Sequence, residues 1–137
     1  MLTQSAEYAL RAAVHIARDA TRRPVRAGEM ARALRIPQEY LAKILRRLAR
    51  AGVLISTRGK AGGFRLAAPP QRVRLHAIVA PFDDLGGPRR CLLGRPHCSD
   101  RFACAAHDRW RRVADAMNEF LRQTTLADVA RNGAPTE

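Results

Sequence analysis

Three cysteines fall within 14 residues of one another, Cys91, Cys98 and Cys104, and His107 follows the last by three positions. An odd count argues against a disulfide framework. The stretch around them is polar and rich in Gly and Pro, unlike the setting of apolar core cysteines. Three soft thiolates with one further donor can hold zinc or an iron–sulfur cluster, whereas a redox-sensing thiol pair needs no metal. Spacing leaves these alternatives open: the spacers are six and five residues, while structural zinc favours shorter ones in paired knuckles, and no second pair is present. His97 adjoins Cys98, and the neighbour of a ligand tends to point away from it. No Ser/His/Asp set and no paired catalytic carboxylates occur. Gly59-Lys60 lacks the following Ser/Thr and the spacer of a Walker loop, and His15 and His76 stand alone, so an enzyme is not expected.

The second chemical signal is charge. The chain has 137 residues with 25 Lys+Arg against 12 Asp+Glu, a formal net of +13. Residues 22–74 hold 14 of those cations and only Glu29 and Glu39, so +12 of the excess lies in one block. A preference for Arg over Lys explains the residue type but not this confinement. A field of that sign draws a polyanion, and nucleic acid is the expected partner. An acidic membrane surface fits less well, because no Trp/Phe stripe opposes the cationic face. No apolar run reaches the roughly 18 residues of a membrane span. Met1–Ser5 has neither the basic nor the apolar region of a secretory signal. The expected location is cytoplasmic, with no membrane partner. With 47% apolar residues the chain has enough for a modest core.

Hydrophobic spacing supplies the elements that must position these groups. Ala6, Ala9, Leu10, Ala13, Ile16 and Ala17 predict an amphipathic helix over 5–19. A turn at Thr21–Pro24 precedes a short helix over Ala27–Leu34, and Pro37 suits the first residue of the next. In that helix Leu41, Ile44, Leu45 and Leu48 form a buried stripe. Gln38, Glu39, Ala42, Lys43, Arg46 and Arg50 take the other faces, and Gly52 is the stop. Two such helices describe a helix-turn-helix. Val53–Thr57, the tip Arg58–Gly63 and Phe64–Leu66 then read as a β-hairpin, whose glycines permit positive φ and close approach to a phosphate. Arg74–Asp84 is a weaker helix limited by Pro81. Trp110, Val113, Met117, Phe120 and Leu121 trace an apolar seam on a long terminal helix, which predicts dimerisation, and Gly133–Pro135 is a frayed tail. The expected fold is therefore mainly α with a small β wing, a winged helix-turn-helix plus a long C-terminal dimerisation helix. Its predicted parts are a DNA-binding domain over 1–85, a cysteine-bearing loop over 86–106, and the dimerisation helix and tail over 107–137.

Taken together the chain resembles the Rrf-two family of winged-helix transcription regulators, in its IscR/NsrR-like branch. The matching residues are Glu7-Tyr8-Ala9-Leu10-Arg11, Ile36-Pro37-Gln38-Glu39-Tyr40-Leu41-Ala42-Lys43-Ile44-Leu45, the wing Arg58-Gly59-Lys60-Ala61-Gly62-Gly63-Phe64-Arg65-Leu66, the three cysteines, and Thr125-Leu126-Ala127-Asp128-Val129. The resemblance implies a homodimer on a pseudo-palindromic operator, with Pro37, Glu39, Tyr40 and Lys43 at recognition-helix positions and Arg58 entering the minor groove. Gln38, Arg46, Lys60 and Arg65 complete the expected DNA-binding set, since residues at the helix start reach base edges and later cations hold phosphates. It also implies that Cys91, Cys98 and Cys104 bind an iron–sulfur cluster, 2Fe–2S favoured over 4Fe–4S. The fourth ligand would be His107 or, alternatively, Glu7 of the partner subunit. The implied function is a regulator, in the commoner mode a repressor, sensing redox state, nitric oxide or iron–sulfur status. The alternative is a zinc- or thiol-based regulator on the same fold.

Overall fold

A computed structural model describes residues 2–19, 21–83, 92–93, 101 and 103–131. The predicted tail and most of the predicted cysteine loop lie outside these residues. The first helix, α1 (Gln4–Arg18), opens on Thr3, whose side-chain oxygen accepts from the Ala6 N–H at 3.1 Å. Its inner face is built of small residues: Ala6, Ala9, Ala12 and Ala13 are completely buried. With only methyl groups between them, neighbouring backbones approach closely, and α1 becomes the axis on which the other elements pack.

Helices α2 (Ala27–Leu34) and α3 (Gln38–Arg50) form the helix-turn-helix. Pro37 caps α3 from outside rather than serving as its first residue: φ −54 and ψ 128 are extended, while its carbonyl accepts from Leu41 at 2.9 Å. A one-residue shift of this kind is ordinary at a helix end. Leu41, Ile44, Leu45 and Leu48 are buried as the stripe predicted. The end of α3 is a Schellman motif. Gly52, at φ +84, donates to the Ala49 carbonyl and Val53 donates to the Leu48 carbonyl, with Val53 and Leu48 both buried.

The wing pairs β1 (Leu54–Thr57) with β2 (Gly63–Leu66), antiparallel, with Leu54 opposite Leu66 and Ile55 opposite Arg65. Val25 adds an isolated bridge to the other edge of β2, exchanging both backbone hydrogen bonds with Phe64 at 2.9 and 2.8 Å. A 3₁₀ turn at Pro70–Arg72 leads to α4 (Leu75–Val79), which stops short of the predicted Asp84 because Pro81 follows at once.

The long α5 (His107–Gln123) buries only Leu121. The chain then folds back. Leu75 donates to the Thr124 carbonyl at 3.0 Å and Leu126 to the Val73 carbonyl at 2.7 Å, and α6 (Leu126–Ala130) starts with a Thr125/Asp128 capping box. Arg18 closes the arrangement by donating to the Ala130 carbonyl at 3.1 Å. Leu121 and Leu126 belong to the same buried core as α1 to α4.

Candidate nucleic-acid interface and sulfur-ligand site

Burial of the leucine stripe fixes which way α3 faces. Gln38, Glu39, Tyr40, Lys43, Arg46, Arg47 and Arg50 are left exposed. Pro37, the N-cap of α3, makes no side-chain cap hydrogen bond, and the N–H groups of such a first turn suit a phosphate. The exposed residues divide by what they touch. The Gln38 amide rests over Gly28 of α2, where an added Cβ would stand 3.3 Å away. Arg47 stacks on Phe82 at 5.1 Å. The Tyr40 hydroxyl lies 2.5 Å from that of Ser5. Glu39, Lys43 and Arg46 face outward.

At the wing, Arg58 and Lys60 are exposed at the tip. Arg65 is set back from it. On the sheet face shared with Ile55, it joins Arg22 and Arg23 along a cleft of about 540 Å³. The two glycines before Phe64 serve the hairpin itself and not an approaching ligand. A Cβ at Gly62 would meet the Thr57 carbonyl at 2.3 Å, and one at Gly63 would meet the Val25 carbonyl at 2.6 Å. The sequence reading missed Arg26. From the N-cap position of α2 its guanidinium donates to the Lys60 carbonyl and, at 3.4 Å, to that of Gly59, tying the wing tip to the helix-turn-helix. Only Arg26's place in the cationic block could have hinted at it, because its partners lie more than thirty residues away.

Of the sulfur-ligand set, Cys104 and His107 are described, while Cys91 and Cys98 lie outside the described residues. Cys104 is half-buried, and its carbonyl accepts from the His107 N–H at 3.1 Å. The thiol and the imidazole thus belong to one turn at the start of α5. Thiolate and imidazole are both donor types that a soft metal or an iron–sulfur centre accepts. Glu7 is exposed on α1. Among the described residues no group of three or more His, Cys, Asp or Glu side chains forms a metal site, and no helix is long and apolar enough to cross a membrane.

Residues 2–132 match the model of the Rrf2 (Rrf-two) family, described as an iron-dependent transcriptional regulator. The chain belongs to this family. A protein of Aquifex aeolicus described as an HTH-type transcriptional regulator is 32% identical over 94% of this chain and 90% of its own. The transcriptional regulator IscR of Vibrio campbellii is 26% identical over 99% of this chain and 80% of its own. In three dimensions the chain resembles CymR, the global cysteine regulator of B. subtilis, with a TM-score of 0.79, 24% identity and 98% of both chains covered. The Rrf2 chain described here is accordingly a DNA-binding transcriptional regulator with an IscR-like sequence and a winged-helix fold, and not an enzyme.

Proposed function

We propose that this Rrf2 protein is a homodimeric repressor whose hold on a pseudo-palindromic operator depends on an iron–sulfur group. One observation supports the reading half above all: the outward residues of α3 and of the wing tip, Lys43, Arg46, Arg58 and Lys60, come from the single block that carries nearly all the excess charge. In this reading Gln38 and Glu39 reach base edges, a glutamate there accepting from a cytosine amino group. Lys43, Arg46, Lys60 and Arg65 hold phosphates and Arg58 enters the minor groove, on a wing whose tip is steadied by Arg26. Two copies joined along α5 present two reading heads to the two half-sites.

Cys91, Cys98, Cys104 and His107 would hold the group, with Glu7 of the partner subunit as the alternative fourth ligand. His107 is favoured because it already shares a turn with Cys104, so little chain entropy is lost in bringing the two together. With a histidine as fourth ligand, 2Fe–2S is favoured over 4Fe–4S. When bound, such a group supplies reactivity toward oxygen and nitric oxide and a dependence on iron supply. Ligation through Cys104 and His107 would couple the group to the start of α5, and a tenfold change in operator affinity needs only about 1.4 kcal/mol of coupling.

The test is purification under strict exclusion of oxygen, with iron and inorganic sulfide counted, followed by binding to the DNA upstream of the protein's own gene. Stoichiometric iron and sulfide are expected, with tighter binding to that DNA than to a random duplex and a clear difference between loaded and stripped protein. Zinc alone, or no metal, would replace the cluster reading with a zinc- or thiol-based switch. Equal binding to every duplex would remove the operator.

A further inference from the structure

The first turns of α1 grip both helices of the helix-turn-helix from behind. The Ser5 and Tyr40 hydroxyls are 2.5 Å apart, and the Tyr8 ring meets the Tyr40 ring edge-on, with centroids 5.6 Å apart and planes at 85°. Gln4 donates to the Tyr8 hydroxyl at 3.0 Å. Arg11 lies over the Tyr8 ring at 5.5 Å and donates to the carbonyl of Leu34, the last residue of α2, at 2.5 Å. These contacts fall on either side of the connecting turn, Arg35-Ile36-Pro37. Within that turn Arg35 adopts φ 57 and ψ 45, a left-handed conformation that is costly for a side chain with a Cβ. Core packing of α2 on α3 is thus joined by an outside grip from α1 on both sides of the strained turn. The gripping helix has its own anchor, since the Thr3 N–H and hydroxyl both donate to an Asp83 carboxylate oxygen, at 3.1 and 3.2 Å.

We propose that Tyr40 is a positioning residue and not a DNA contact: through Ser5 and Tyr8 it seats the first turn of α3 on α1, and so sets where Glu39 and Lys43 meet the operator. The chemistry of the hydroxyl supports this. The phenol is the more acidic of the two hydroxyls, and when it donates to Ser5 its single proton is not offered to a phosphate oxygen. The inference rests on the reading that α3 faces DNA, and the experiment separates the two. Tyr40→Phe, Ser5→Ala and the double variant are compared with the unaltered chain. Each is tested on the operator and on a random duplex of equal length over a range of salt, with thermal unfolding as the check on folding.

Tyr40→Phe and Ser5→Ala are each expected to weaken operator binding by about threefold to tenfold, the range of one net hydrogen bond. Random-duplex binding and the salt slope should stay unchanged, and the double variant should be no weaker than the weaker single one. A Ser5→Ala variant that binds the operator like the unaltered chain would overturn the proposal. So would losses that multiply in the double variant, or a Tyr40→Phe loss of equal size on both duplexes, the mark of a phosphate contact. An unaltered chain that fails to prefer the operator would instead remove the DNA-reading assignment, and the proposal with it.

Discussion

Gly63 runs against the Val25 backbone so closely that a methyl group there would stand 2.6 Å from the carbonyl carbon and oxygen and 3.0 Å from the Arg26 nitrogen, at φ +146. Gly59, at φ +99, has open space around its Cα. The two positions should therefore behave differently. Gly59→Ala is expected to cost about 1 kcal/mol, the conformational penalty alone. Gly63→Ala adds displacement of a paired strand, and should cost about 2 kcal/mol or more and loosen the wing root. Urea midpoints of the two variants check the ordering; equal midpoints would show that the Val25 bridge yields freely. The glycine-rich tip was legible in the sequence, yet its cause was not. Composition suggests freedom for an incoming phosphate, whereas the tight position answers to Val25, 38 residues earlier. Arg26 escaped notice for the same reason, and the contacts of Tyr40 with Ser5 and Tyr8 were equally hidden, because a recognition-helix position says nothing of a partner on another helix. That Cys104 and His107 share a turn was foreseeable, because three residues of separation is a local relation.

At the scale of elements, periodicity located the helices well because each buries a continuous stripe: the α3 leucines and the α1 alanines lie where spacing places them. The seam of α5 shows the limit of that reasoning. Its five residues lie along one side of the helix, but an apolar arc can serve two neighbours, and the structure divides it. Leu121 is buried in the chain's own core and Met117 packs against that core, while Val113 and Phe120 are 46% and 54% exposed. Leu121→Ala should destabilise the folded chain by about 2–5 kcal/mol, as loss of a core leucine does. Phe120→Ser removes little protomer packing and should change protomer stability by about 0.5 kcal/mol or less, yet raise the concentration at which dimers form. Urea unfolding of dilute protein and sedimentation velocity over a concentration series measure the two effects. A Phe120→Ser variant that remains as dimeric as the unaltered chain would place the interface elsewhere. The short α6 was legible only as a sequence match. Its return to the core depends on backbone pairing between Val73–Leu75 and Thr124–Leu126, which no local pattern announces.

Across the whole molecule, the cationic excess is confined to residues 22–74, which supply the helix-turn-helix and the wing. The flanking segments of the sequence carry almost no net charge: residues 1–21 balance and residues 75–137 hold an excess of one. Every partner reached through this block should therefore be bound with strong salt dependence, because each neutralised phosphate releases counterions. Two cations on the same surface are expected to contribute differently. Arg46 stands two turns into α3, beyond the reach of an end-on base contact, and acts on the phosphate backbone. Arg58 stands at the wing tip, where a narrow groove rewards a guanidinium according to its width and sequence. Arg46→Ala should weaken operator and random duplex alike and lower the slope of log K against log salt by about one for each protomer bound. Arg58→Ala should cost about 1–3 kcal/mol on the operator and less on a random duplex, narrowing the ratio between them. Fluorescence anisotropy with both duplexes over a salt series distinguishes the pair. If Arg58→Ala shifted both curves equally, the wing would be an electrostatic footing, and discrimination would then have to come from Gln38 and Glu39 on α3 alone.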